Sequence, residues 1–360
     1  MRIILIWITS YVELLRAGHG HQQMVDIPLK PSFIADDPRL RVEIVFTAQH
    51  NHVVFPLLLD TGSNSVHVEE ALTGLPPAAH ARYWDSGLGV RRSVPLRLHY
   101  GVNDHLFAVH ETKQVQEMAR ASSRNGMAGF YFPLRLGLTT PVGEMYLGAG
   151  LLGAGPLSDF AVAARTFAFA PGHLKSSLLI GNRDWRRLCR GGVRPKFFPL
   201  STQATTWLVP GTVAIGQYEA RANWLIDTGA SVISLPMDAY MHLLSELTRR
   251  GSFVQTAPPG DPTQVRHCQN YRVRFPTIRL VLRNGRGGYM AVRLRPTQYV
   301  TQVAAGETFC QLSLVHFGPS QGGGEWALFG MPLLKYLVTV FSQETRSVGF
   351  CPVSSIAHIP

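Results

Sequence analysis

The chain has 360 residues, enough for two domains of ordinary size or one large two-lobed unit. Hydrophobic residues make up 46% and charged residues 16%, which excludes a disordered chain, and 34 glycines with 24 prolines indicate the frequent turns of a β-rich protein. Net charge is +11, mostly from arginine, but the arginines are scattered (Arg91-Arg92, Arg186-Arg187, Arg249-Arg250) with no single stripe and no nucleic-acid motif. Specific nucleic-acid binding is therefore not expected, and the charge reads as a solvated surface or as attraction to acidic polymers or anionic membranes.

Residues 1–20, MRIILIWITSYVELLRAGHG, open with Arg2, run through an apolar stretch from Ile3 to Val12 and end in small residues at Gly18 and Gly20. This reads as a secretory signal peptide, with Glu13 and Arg16 leaving a buried N-terminal helix as the alternative. No later stretch is long and apolar enough for a transmembrane helix. His19 and His21 suit a linker beside the cleavage point better than a metal site, and no metal or other cofactor is expected. LRVEIVF, from Leu40, is the first clear strand, and MVDIPLK before it is a shorter candidate.

Residues Leu57 to Val68, LLLDTGSNSVHV, carry an apolar run straight into Asp60. One such ending is unremarkable, because Asp and Gly close many strands. The pattern returns, however, at Trp224 to Pro236, WLIDTGASVISLP, with Asp227 placed 167 residues after Asp60. Each copy is followed by two apolar residues and a glycine. Leu151-Leu152-Gly153 ends 93 residues after the first aspartate, and Leu328-Phe329-Gly330 ends 103 after the second. Two landmarks repeated in order over a domain-sized interval indicate an internal duplication. The four cysteines, Cys189, Cys268, Cys310 and Cys351, suggest two disulfides in a secreted chain, with three connectivities open.

On these residues the chain resembles the pepsin-like aspartic endopeptidases, from about Leu40 to Pro352. LHYGVNDHLF looks like the family's flap hairpin, with Tyr100 and Gly101 at its tip. CQNYRVRFPTIRLVL and LFGMPLLKYLVTVFSQETRSVGF look like its later segments. The resemblance implies an all-β, bilobal fold: two β-barrel lobes, a shared interlobe sheet and a central cleft. It implies an N-terminal lobe over 21–200 carrying Asp60 and the flap, and a C-terminal lobe over 201–360 carrying Asp227. Asp60 and Asp227 are then the catalytic pair, holding one water between them.

Thr61 and Thr228 would lock the two loops together. Gly62 and Gly229 would bring backbone N–H groups to the carboxylates, and Ser63 would bond the outer oxygen of Asp60. Gly153 and Gly330 would let a strand thread beneath each loop. The family's C-terminal bridge corresponds to Cys268–Cys310, which leaves Cys189 and Cys351 as the second pair. The implied activity is acid-favoured hydrolysis of extended peptides with apolar residues beside the cut, by a monomer in the secretory pathway, outside the cell or in an acidic vesicle. The rival reading is an inactive relative that keeps the cleft and binds peptides or proteins.

The sequence departs from the family at four positions. His67 stands where a tryptophan usually supports the flap tyrosine, and Val102 replaces a small hydroxyl residue at the flap tip. Met331 replaces a polar residue beside Gly330. Ala230 lies where Ser63 lies in the first copy, so one hydroxyl is missing near Asp227, and the pair should titrate at weaker acid as a result.

Overall fold

The structure is a computed structural model and describes residues 24–31, 39–48, 51–64, 66–69, 92–93, 108–111, 117–124, 129–134, 136–140, 150–172, 175–181, 184–255, 263–284, 288–303, 308–316 and 326–353. Residues 1–23 and the flap residues Tyr100, Gly101 and Val102 lie outside that set.

The first half supplies β1 (Val25–Pro31), β2 (Leu40–Ala48), β3 (Asn51–Asp60), β4 (Val66–Glu69), β5 (Arg92–Ser93), β6 (Ala108–Glu111), β7 (Glu117–Ser122), β8 (Gly129–Leu134), β9 (Leu136–Thr140) and β10 (Gly150–Gly153). After a short helix, Asp159–Ala164, come β11 (Thr166–Ala170), β12 (Ser176–Ile180) and β13 (Lys196–Pro199). The second half supplies β14 (Leu208–Ile215), β15 (Tyr218–Ile226), β16 (Ile233–Leu235), β17 (Phe253–Gln255), β18 (Gln264–Arg266), β19 (Ile278–Arg283) and β20 (Tyr289–Leu294). It continues with β21 (Val300–Val303), β22 (Phe309–Leu312), β23 (Leu314–His316), β24 (Trp326–Phe329), β25 (Leu337–Ser342) and β26 (Ser347–Pro352). The longest helix, Met237–Arg249, buries Tyr240, Leu243, Leu244 and Leu247 along one side, at the spacing of an amphipathic helix.

The strands follow the side-chain period of two. In β15, Ala222, Trp224 and Ile226 are buried while Arg221, Asn223 and Leu225 between them keep some exposure. In β3, Leu57, Leu58 and Leu59 are all buried, so both faces of the strand are covered at this end, as is usual where a strand has a parallel neighbour.

The duplication seen in the sequence is repeated in the pairing. One half runs β8-β7-β2-β3-β10-β4-β9 and the other β20-β19-β14-β15-β24-β16-β23. Every junction matches in sense. The first three are antiparallel in both halves. β3–β10 and β15–β24 are parallel, β10–β4 and β24–β16 antiparallel, β4–β9 and β16–β23 parallel.

The architecture is all-β, with one correction to the expected barrels. Among the described residues neither half closes. The largest sheet runs from an edge at β13 to an edge at β5, and the seven-stranded sheet ends at β20 and β23, which do not pair with each other. A barrel needs its edges joined by hydrogen bonds, and these edges are not.

A shared layer is present. Its order is β13-β26-β25-β11-β12-β1, so the last two strands of the chain lie among strands of the first half. Its apolar face joins the main core. Phe167 stacks on Phe341 at 4.9 Å, and Trp207 packs on Phe341 at 5.2 Å. A satellite core of Ala168, Leu179, Trp185, Val338, Val340 and Val353 encloses the Cys189–Cys351 disulfide. The second disulfide joins Cys268 to Cys310 within the second half. Among the described residues no helix is long and apolar enough to cross a membrane, and no cluster of His, Cys, Asp and Glu could hold a metal ion.

Candidate active site

β3 and β15 each deliver an aspartate out of an apolar strand. Asp60 is the last residue of β3 and sits in register with Gly153 of β10. Its carbonyl accepts from the Ala154 N–H at 2.7 Å. Asp227 directly follows β15, and its N–H donates to the Phe329 carbonyl of β24 at 3.2 Å. The parallel partner strand thus fixes the backbone under each carboxylate. The buried leucines of β3 have this purpose: they anchor the strand whose end carries the charge.

The two loops are interlocked. Gly62 N–H donates to Asp60 Oδ1 at 2.8 Å, and Gly229 N–H donates to Asp227 Oδ1 at 2.7 Å. Each glycine also faces the other aspartate. A Cβ on Gly62 would lie 2.5 Å from Asp227 Oδ2, and a Cβ on Gly229 would lie 2.5 Å from Asp60 Oδ1. No side chain fits there, so both positions require glycine.

Thr61 and Thr228 are buried behind the pair. Thr61 Oγ1 donates to the Ile226 carbonyl at 2.8 Å and accepts from Thr228 N–H at 3.0 Å. Thr228 Oγ1 donates to the Leu59 carbonyl at 2.7 Å and accepts from Thr61 N–H at 3.1 Å. Four hydrogen bonds therefore cross between the halves, and the two carboxylates are held over one point.

That closeness shows in the acidity. Asp227 is pushed well above its ordinary 3.8, first by the loss of water around its carboxyl and then by the negative charge and hydrogen bond of Asp60. The N–H groups of Gly229 and Gly62 act against this, but less strongly. Asp60 is 5% exposed, so one carboxylate of the pair is nearly sealed while Asp227 retains partial access.

Other expected residues stand as follows. Ser63 does not bond Asp60: its Oγ is buried without a hydrogen-bond partner. The Ser63 carbonyl instead accepts from Gly155 N–H at 2.7 Å, which ties the loop backbone to the turn after β10 while Gly62 N–H takes Asp60 Oδ1. Gly330 is threaded tightly, since a Cβ there would lie 2.0 Å from the Val232 carbonyl oxygen. In the first half a comparable crowding falls on Gly155, against Asn64 Oδ1 and the Ser63 carbonyl. Ala230 and Met331 are joined through the backbone, Met331 N–H to Ala230 O at 2.9 Å. His67 lies in β4, level with Leu151 of β10.

Two supporting residues escaped the sequence reading. Asn64 Oδ1 accepts from Leu157 N–H and its Nδ2 donates to the Thr205 carbonyl, both at 2.9 Å. Fully buried Trp207 donates from Nε1 to the Ala154 carbonyl at 2.8 Å, and its own carbonyl accepts from Ile226 N–H at 3.0 Å. Both join the first loop to the start of the second half. Neither residue stands out in the single-sequence pattern, since Trp207 simply opens the apolar run WLV.

Residues 197–353 match the family model described as eukaryotic aspartyl protease. Over that span, somewhat under half of the chain, the protein is similar to the pepsin-like aspartyl proteases. No curated protein gives a significant match. The matched span contains Asp227, Thr228, Gly229 and Gly330, and the Cys268–Cys310 bridge. Asp60 lies before it, joined to it by the repeated strand order and the threonine bonds. The match to that family suggests peptide substrates and hydrolysis of the peptide bond as the coarse activity.

Proposed function

We propose that the chain is an aspartic endopeptidase in which Asp60 and Asp227 activate one water molecule. The observation that carries this reading is the reciprocal seating of the two carboxylates, each against the glycine of the opposite loop. Two carboxylates so placed cannot both ionise, an effect for which pepsin-like enzymes are the standard example. One stays protonated while the other is charged, and the raised pKa of Asp227 supports it as the proton holder.

The ionised carboxylate takes a proton from the water, and the resulting hydroxide attacks the substrate carbonyl carbon. The protonated carboxyl donates to the oxygen that gains charge. The proton taken from water then passes to the amine as the carbon–nitrogen bond breaks. The step requires no covalent enzyme intermediate.

The substrate is read as an extended peptide bound through its backbone, with apolar residues beside the cut. Tyr100 and Gly101 are proposed as the flap that closes over it. The proposed division is a signal at 1–20, a first lobe at 21–200 and a second at 201–360, acting as a monomer in the secretory pathway, outside the cell or in an acidic vesicle.

A second reading, a pepsin-like binding protein without catalysis, is favoured by one observation. Neither aspartate has hydroxyl support from its own loop, since Ser63 Oγ is unbonded and residue 230 is alanine. Cleavage of an unfolded protein mixture from about pH 3 to 7, compared with Asp227→Asn, separates the two. Acid-favoured cutting that disappears in a folded variant supports the endopeptidase. Absence of cutting by the folded wild type, also after removal of the N-terminal segment, supports the binding protein.

A further inference from the structure

The arginines look scattered along the chain, but five cations fall within one short segment outside the aspartate loops. Residues Asp184 to Phe198 read DWRRLCRGGVRPKFF. Arg186, Arg187, Arg190, Arg194 and Lys196 are all exposed. Asp184 is the single acid of the segment, and it is held by Arg186 at 2.5 Å. Five cations and one carboxylate leave +4 in thirteen residues, more than a third of the chain's net +11.

The segment is rigid. It forms two short 3₁₀ turns, Trp185–Leu188 and Arg190–Gly192, which run into β13. Cys189 between them is bonded to Cys351, and it also bridges to Val353. Trp185 is buried in the satellite core. Lys196 and Phe197 pair with Phe350 and Gly349 of β26. The cations are thus presented on a fixed frame, which lowers the ordering cost of binding.

A charged edge strand often serves only to block pairing with another sheet. β13 is such an edge, and Lys196 fits that purpose. Arg187, Arg190 and Arg194 lie off the strand, so edge protection does not account for them.

We propose that residues 184–196 form a docking site for a linear sulfated polyanion, such as a heparin-type polysaccharide. Charge complementarity selects an anion, and guanidinium groups bond the oxygens of sulfate in pairs. A soluble polymer fits better than a membrane. The ring of Phe197 packs against Gly349, where an added Cβ would meet it at 2.7 Å, so it is not free to enter a bilayer. Of the exposed apolar residues, that leaves Val193 alone in the segment. The site is independent of the aspartate pair and does not rest on the proposed catalysis.

The test is salt-dependent binding of the full chain to immobilised heparin. Two variants of equal charge are compared: Arg187→Gln/Arg190→Gln/Arg194→Gln, and a control on the second half's sheet, Arg221→Gln/Arg279→Gln/Arg293→Gln, whose arginines are also exposed. Thermal melts verify that both stay folded. The first triple should reduce the slope of log affinity against log salt by about 2 to 3, with the control near wild type. Equal losses in both would mean that net charge alone is read, and would overturn the site. So would failure of the wild type to bind at roughly physiological salt. Tighter binding to phosphatidylserine vesicles than to heparin would replace the polysaccharide with a membrane and overturn the assigned partner.

Discussion

Thr61 and Thr228 each donate a hydroxyl hydrogen bond to the opposite strand and accept the other's backbone N–H, at 3.0 and 3.1 Å. Both are buried, so neither bond can be replaced by water. Thr61→Val keeps the shape and removes the hydroxyl. It leaves the Ile226 carbonyl and the Thr228 N–H without partners. The expected cost is about 2 to 4 kcal/mol of unfolding free energy, for two buried groups at roughly 1 to 2 each. Denaturant melts of Thr61→Val and Thr228→Val should show similar losses. A loss under about 0.5 kcal/mol in either would show that the bonds contribute little.

Gly229→Ala places a methyl 2.5 Å from Asp60 Oδ1. One carboxylate must move away from the other. Peptide cleavage should fall on the order of 100-fold, mainly in kcat, since a misplacement near 1 Å costs about that much. Gly62→Ala should act alike through Asp227, and steady-state kinetics on one peptide substrate checks both.

Asp227 makes stability depend on pH with a definite sign. Its pKa is raised in the folded chain above 3.8. The folded chain therefore keeps a proton that the unfolded chain has released. This contribution is complete below 3.8 and is lost as pH rises towards the folded value. Asp227→Asn removes the dependence. The variant should melt higher than wild type at neutral pH, and the gap should shrink as pH falls towards 3.8. Calorimetry at several pH values reads this, and a constant gap would contradict the burial of the pair.

Ala230→Thr supplies a hydroxyl beside a loop whose backbone is already fixed by Met331. A bond to the ionised pair favours the charged form, so the acidic limb of the cleavage profile should move down by about 0.5 to 1 pH unit, the equivalent of one modest hydrogen bond. An unmoved acidic limb would mean that residue 230 does not reach the carboxylates.

Cys189 and Cys351 are 162 residues apart, and Cys268 and Cys310 are 42 apart. In the chain-entropy account, removing these bridges costs about 5 and about 4 kcal/mol respectively. Double serine variants of each pair should therefore both lower the melting temperature, the longer loop more. The opposite order in calorimetry would indicate that strain or residual structure outweighs loop length.

Much of the site was legible because it is written twice. An apolar run that ends in Asp-Thr-Gly means little alone, but its return with a matching glycine landmark specified the strand that bears Asp60 and the one that bears Asp227. The threonine cross-bonds followed from the resemblance and appear in the geometry. Ser63 did not follow, because the Gly62 amide takes Asp60 Oδ1 and the Ser63 backbone is tied to Gly155. Asn64 and Trp207 were not legible at all. Their partners, Thr205 and Ala154, are distant in sequence, and nothing in a single strand pattern announces such a contact. Closure was not legible for a similar reason, since side-chain alternation predicts a sheet but not whether its edges meet, and among the described residues they do not.

β25 and β26 follow every other described strand in the chain, yet they share one layer with β1. A chain still being synthesised lacks two strands of that layer until residue 352 has emerged. The first half therefore cannot finish folding ahead of the second, and vectorial folding stops short at this point. Until then Cys189 has no native partner, and the apolar side of β11 has no cover. Shortening β26 would therefore be felt in the layer that β1 begins, far away along the chain.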